Sequence, residues 1–144
     1  MKRDTDKFII DNFVLNKKLI NASFLSCSRV DKSKTCSGLL YTIYYKKTIT
    51  MHDIAKMLNL TPGAASQIVE KLVTEGLLRR DYDMEDRRII HITFTPEGRE
   101  RFSKIVDDFK SKIEKLLAVI SDEEFETLSE INTKLLNNID ILEK

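Results

Sequence analysis

The side chains with chemistry to offer fall in two short runs. The first lies within 61–74, where Thr61, Gly63, Ala64, Ser66, Gln67, Glu70, Lys71 and Thr74 sit off an apolar stripe of Ala65, Ile68, Val69 and Leu72. These are small or hydrogen-bonding residues, and no acid precedes Glu70. A helix meant only for solubility usually carries more charge there. A glutamine amide matches the N6/N7 edge of adenine in bidentate fashion, a pairing that discriminates by about 1–3 kcal/mol. Serine and threonine hydroxyls such as those of Thr61 and Ser66 suit phosphate oxygens. The second run gathers Arg79, Arg80, Arg87 and Arg88 within ten residues. A guanidinium is drawn to the negative potential of a narrow minor groove. Asp86, two residues before Arg88, can hold it as a bidentate pair. The bland reading, a solvated helix face and surface ion pairs that contribute little, competes with both.

Other chemistries find less support. Cys27 and Cys36 are too few for a disulfide framework and lack zinc spacing. Arg29, Lys32 and Lys34 lie between them and could depress a thiol pKa, yet a free cysteine is usually a small buried apolar residue, which is the expectation here. Lys32 and Lys34 themselves read most simply as solvated charges. His52 and His91 stand 39 residues apart, without companions at ligand spacing, so no metal site is expected. The chain shows no glycine-rich phosphate loop, no nucleophile motif and no grouped acid–base pair; it reads as no enzyme, without a cofactor. The acidic run Ser121-Asp122-Glu123-Glu124 is a helix start, where negative charge suits the dipole.

The elements that must position these residues follow from periodicity and punctuation. Thr50, with Asp53 three residues on, caps a helix over 51–58. Asn59-Leu60 makes a turn. Thr61 caps a second helix with Pro62 at its first position, and Gly76 ends it in the left-handed region. A short strand over 77–82, a charged turn at 83–88 and an alternating strand over 89–95 then form a two-stranded hairpin. Ile90, Ile92 and Phe94 lie on one face of that second strand, His91 and Thr93 on the other. Upstream, residues 4–26 read as one long helix, 27–35 as a loop and 36–46 as a shorter helix. Downstream, Thr95 and Pro96 open a helix carrying Phe102, Ile105, Val106, Phe109, Ile113, Leu116, Leu117 and Ile120. Ser121 opens a last one carrying Phe125, Leu128, Ile131, Leu135, Leu136, Ile139 and Leu142.

The fold class is thus mainly α with a small β-wing: a winged helix-turn-helix region over 36–95, with long N- and C-terminal helices (4–35 and 96–144) as dimerisation elements. A helix of about 24 residues spans about 36 Å, too long a stripe for so small a body to cover. A second copy of the chain is the simplest cover, giving a two-fold homodimer.

At 144 residues and 42% apolar content the chain supports one real core. No uninterrupted apolar run of membrane-spanning length occurs, and the N-terminus lacks the apolar stretch of a signal peptide, so a cytoplasmic protein with no membrane partner is expected. The net charge of +1 does not announce a nucleic-acid binder. Residues 48–95 carry six Lys/Arg against seven Asp/Glu, so electrostatic grip rests on the local arginine cluster.

The order of elements resembles the MarR family of winged-helix regulators over nearly the whole chain. The resemblance is carried by 60–72 (Leu-Thr-Pro-Gly-Ala-Ala-Ser-Gln-Ile-Val-Glu-Lys-Leu), by Glu75-Gly76-Leu77-Leu78, by Asp83-Met84-Glu85-Asp86-Arg87-Arg88, which is similar to the family's acidic–arginine wing signature, and by 92–98. It implies a homodimer binding a pseudo-palindromic operator in double-stranded DNA, with a recognition helix in the major groove and a wing over the minor groove. It puts Thr61, Gly63, Ala64, Ser66, Gln67 and Lys71 on the DNA-facing side. Arg88 falls at the minor-groove arginine and Asp86 at its orienting acid; Arg87 and Arg79 join the arginine cluster near the backbone. The resemblance also implies a ligand-responsive repressor with a small aromatic effector. Tyr41, Tyr44, Tyr45, Phe8 and Phe13 are candidates to line its cleft, with ordinary core as the simpler reading for any one of them. The chain lacks the arginine that many members carry in the recognition helix, so base readout there is light. The alternative function is a protein-interaction module on a winged-helix scaffold without sequence-specific DNA binding.

Overall fold

The computed structural model describes residues 3–24 and 34–143. The elements run α1 (Thr5–Phe24), α2 (Lys34–Lys46), β1 (Thr48–Thr50), α3 (Met51–Leu58), α4 (Pro62–Thr74), β2 (Leu78–Tyr82), β3 (Ile90–Phe94), α5 (Pro96–Leu117) and α6 (Asp122–Leu136), with a short 3-10 turn over Ile139–Glu143. The mainly helical architecture with a small sheet is as expected. The expected 27–35 loop, with Cys27, Arg29 and Lys32, lies largely outside the described residues.

Two compact units divide the chain, Met1–Phe109 and Lys110–Lys144. In the first, the core joins Leu39, Leu40 and Ile43 of α2 to Ile54 of α3, Ala65, Val69 and Leu72 of α4, Leu77 and Leu78, Ile92 of β3, and Phe102. Fifteen such buried apolar residues form one cluster, enough to hold Gly38 inside α2 against its intrinsic penalty of roughly 1 kcal/mol. Helix α2 accordingly starts two residues before the expected 36.

The helix pair forms as its caps dictate. Asp53 N–H donates to Thr50 Oγ1 at 3.1 Å and the Thr50 hydroxyl donates to the Asp53 carboxylate at 2.8 Å. Asn59 closes α3 in the left-handed region, φ 51°, which asparagine tolerates better than most residues. Ala64 N–H donates to Thr61 Oγ1 at 3.2 Å, with Pro62 behind it. Gly76, at φ 73°, ends the segment after α4.

The sheet corrects the expectation of a two-stranded hairpin. It has three antiparallel strands in the order β1-β3-β2. Strand β1 pairs Thr48 with Thr93, Ile49 with Ile92 and Thr50 with His91. Three residues are too few to show alternation, and Thr50 doubles as the cap of α3; only the buried Ile49 betrays the strand.

The start of α5 crosses the chain at Leu77. Gly98 N–H donates to Thr95 Oγ1 at 2.9 Å, and Thr95 N–H donates to the Leu77 carbonyl at 2.9 Å. A Cβ on Gly98 would stand 2.2 Å from the Leu77 carbonyl oxygen and 2.7 Å from its Cα. Glycine is required there by close approach of two backbones.

In the second unit, Ser121 and Glu124 form the expected capping box at the start of α6. The helix stops sooner than its apolar pattern suggested. The N–H of Asn137 bonds the carbonyls of Thr133 and Leu135, and Ile139 and Leu142 belong to the separate 3-10 turn. Helix α6 has no buried residue.

Candidate nucleic-acid interface

Helix α4 buries Ala65, Val69 and Leu72. The residues expected to face a duplex lie on its other side: Thr61, Gly63, Gln67 and Lys71 are exposed, and Ala64 and Ser66 half-buried. A Cβ on Gly63 would meet nothing within 4 Å, so the backbone there is open to close approach. The structure thus leaves Gly63, Gln67 and Lys71 accessible on α4 with Thr61 at its start, and puts Ala64 and Ser66 at the margin of that face.

The strands beside it sort the arginines. In β2, Leu78, Arg80 and Tyr82 pair opposite Phe94, Ile92 and Ile90 of β3. Directly opposed residues share a face of the sheet, so Arg80 lies on the core side, against α4. Its guanidinium pairs with Glu70 and reaches the Ser66 carbonyl at 3.5 Å. Arg79 lies on the opposite face, where its Nε donates to Asp81 at 3.1 Å and to Thr93 Oγ1 at 3.3 Å. The arginine cluster expected as one basic patch is therefore divided, two on opposite faces of a strand and two at the turn. The pleat of β2 makes this division, since successive side chains take opposite faces of the sheet.

The turn between β2 and β3 is tightly organised. Asp83 N–H donates to the Ile89 carbonyl at 3.0 Å and Ile89 N–H to the Asp86 carbonyl at 2.9 Å. Asp83 Oδ1 accepts the N–H groups of Glu85 at 2.9 Å and Asp86 at 3.0 Å. Its Oδ2 meets His91 Nε2 at 3.0 Å. The Asp86 N–H, the His91 side chain and the Glu85 N–H, in that order, hold the Asp83 carboxyl down at about 2 from a usual 3.8 against a small opposing effect of burial, and the charge of His91 adds to the lowering. Neither Asp83 nor His91 stood out from the sequence as a site residue. The Asx-turn spacing from Asp83 to Glu85 and Asp86 was the available signal.

Asp86 and Arg88 meet as expected, but not as a bidentate pair. A single oxygen, Asp86 Oδ1, accepts both Arg88 N–H at 3.0 Å and Arg88 Nε at 3.1 Å. The two residues lie so close along one turn that the carboxylate folds back on the backbone, leaving one oxygen to serve both donors. The Arg88 side chain remains 92% exposed. Arg87 is exposed beside it, and Met84 is fully exposed.

The aromatic candidates separate. Tyr41 and Tyr44 pack edge-on or tilted against Phe102, at 5.2 and 5.7 Å between ring centroids. Tyr44 also meets Phe94 and lies under the Arg99 guanidinium. Phe8, Phe13 and Tyr45 are exposed. Cys36 is buried, as a small apolar residue would be. Among the described residues no group of His, Cys, Asp and Glu is arranged to hold a metal ion, and no helix is long and apolar enough to cross a membrane.

A helix-turn-helix with an exposed small-residue face, followed directly by a braced arginine-bearing wing, defines the winged helix-turn-helix class. Residues 38–90 match the model described as the MarR family. The chain is 28% identical over 126 residues to the uncharacterized HTH-type transcriptional regulator YdgJ of Bacillus subtilis, covering 88% of this chain and 76% of that one. Its fold is shared by Streptococcus pneumoniae FabT, solved in complex with DNA (TM-score 0.75, 19% identity, 96% of this chain and 99% of that one). It is shared also by NadR, solved with 4-hydroxyphenylacetate (TM-score 0.76, 15% identity, 94% and 96%). Over residues 38–90 the chain is similar to the MarR family of winged helix-turn-helix proteins, and these likenesses together support a DNA-binding transcriptional regulator. The relatives are regulators, not enzymes.

Proposed function

We propose that the protein is a ligand-responsive repressor that binds a pseudo-palindromic operator as a homodimer. The observation that carries this reading is the pairing, in one chain, of an acid-poor exposed face on α4 with a wing turn that holds Arg88 outward. Gln67 reads an adenine edge in the major groove. Thr61, Ser66 and Lys71 contact the backbone, and Gly63 and Ala64 let the helix come close. Arg88 enters the minor groove, oriented by Asp86, while Arg87 and Arg79 lie near phosphates.

The exposed apolar residues of α1 (Phe8, Ile9, Ile10, Phe13, Val14) and of α6 (Phe125, Leu128, Ile131, Leu135) support the homodimer. Each of these exposed apolar faces marks an interaction site, and a two-fold copy offers the same faces in return. Two recognition helices then sit about 34–36 Å apart, one helical turn of DNA. This reading puts the protein in the cytoplasm, with its DNA. A small aromatic effector releases the operator by changing that spacing. A coupling of about 1–3 kcal/mol suffices, shifting affinity some 5–150-fold.

The test is helical phasing. An operator is selected from a random duplex library, and gel-shift titrations follow on variants with five or ten base pairs inserted between its half-sites. Five should abolish high-affinity binding by turning one half-site to the far side of the duplex. Equal affinity for all spacings would sink the two-fold reading.

A further inference from the structure

The wing carries a chain of contacts that runs past Asp86. His91 belongs to β3, the central strand, paired to Thr50 on one side and Asp81 on the other. It is therefore anchored to the sheet, whereas the turn over 83–89 hangs beyond it. His91 Nε2 touches Asp83 Oδ2 at 3.0 Å. The other oxygen of that carboxylate accepts the N–H groups of Glu85 and Asp86. Asp86 in turn accepts both the backbone N–H and the Nε of Arg88. Each link fixes the next, from a strand in the middle of the sheet to a guanidinium in solvent.

A long exposed arginine side chain has many rotamers, and ordering it on binding weakens affinity. A carboxylate two residues away narrows the choice only if the carboxylate is itself fixed. Asp83 supplies that fixity by holding the Asp86 N–H, and His91 holds Asp83.

We propose that Asp83, clamped by His91, is a positioning residue for Arg88: it sets the turn that aims the guanidinium before DNA arrives. The inference rests on the minor-groove reading of Arg88. Removing Asp83 therefore acts through Arg88 and has no separate effect on DNA.

The experiment is a double-mutant cycle on the full-length protein, read by fluorescence anisotropy on a duplex selected from a random library, with A·T-rich flanks. Arg88→Ala should weaken binding about tenfold. Asp83→Ala should weaken it several-fold, and by less than twofold in the Arg88→Ala background. Asp83→Asn, which keeps the acceptor for the Glu85 and Asp86 N–H groups, should recover most of the loss. His91→Phe should give a smaller loss that also disappears without Arg88. Independently of DNA, 15N relaxation of the Arg88 Nε–H group should show a lower order parameter in Asp83→Ala than in the parent. Losses that multiply, or an Arg88 order parameter unmoved by Asp83→Ala, would overturn the proposal while leaving Arg88 at the minor groove. If Asp83→Ala is poorly folded, His91→Phe carries the same cycle, with the Arg88 Nε–H order parameter read in that variant. If Arg88→Ala leaves affinity unchanged, the minor-groove reading fails first, and the positioning role fails with it.

Discussion

Removing Arg80 tests how the reading head is kept fit for a polyanion. Glu70 is the only acid in α4, and Lys71 beside it the only base. The Arg80 guanidinium, a quarter exposed, pairs with the Glu70 carboxylate from the core side of β2. In Arg80→Ala the carboxylate stands uncompensated on a helix that must approach phosphates. A unit charge about 8 Å from a phosphate experiences a repulsion of about 2 kcal/mol at an effective dielectric constant near 20. Screening at physiological salt, with a Debye length of about 8 Å, leaves about 0.8 kcal/mol. Arg80→Ala should therefore weaken operator binding about fourfold. The assay is fluorescence anisotropy at two salt concentrations, with circular dichroism to confirm that the variant is folded. The Glu70→Ala, Arg80→Ala double variant should return to within about twofold of the parent, because the repelling charge has gone with its partner. A double variant as weak as Arg80→Ala alone would refute the reasoning and show Arg80 gripping phosphate directly.

Other expectations follow from the same contacts. Gly98→Ala should lower unfolding stability by about 1–3 kcal/mol in urea titrations, since the added methyl meets the Leu77 backbone rather than a flexible side chain. Arg88→Ala should cost most on A·T-rich flanks and least on G·C-rich ones, in parallel titrations, because the narrow groove supplies its attraction. Asp83 has a folded pKa of about 2 against 3.8. Its contribution to stability is therefore fully present above pH 4 and lost as pH falls from there toward 2. Asp83→Asn should flatten that part of the acid-unfolding curve, monitored by circular dichroism.

Much of the fold was legible because local chemistry and global packing agree in this chain. Thr50, Thr61, Thr95 and Ser121 each cap the helix their sequence context announces. Gly76 takes the left-handed conformation its position implies. What escaped did so for physical reasons. Strand β1 is three residues long, and its pairing with β3 is a contact between segments more than forty residues apart. The α6 pattern ran on because Ile139 and Leu142 keep helical spacing across Asn137 and Asn138, which end the helix by backbone bonds invisible to hydrophobic periodicity. In the interface, the α4 face was legible from its stripe alone. The arginines were not, because charge counting ignores which side of a strand each one takes. Alternation puts Arg80 with the core and Arg79 away from it. The role of Asp83 was hidden in a run of acids that differ only in which N–H groups they accept.

The central claim is that this reading head recognises a particular duplex. One measurement addresses it most directly: the affinity of the full-length protein for the duplex upstream of its own gene, set against a random duplex of equal length, at two salt concentrations. The account predicts tighter binding to the upstream duplex by about 10³-fold or more, with both affinities falling as salt rises. Equal affinity for the two duplexes at both salts would contradict it and point to a winged-helix scaffold used for protein contact instead.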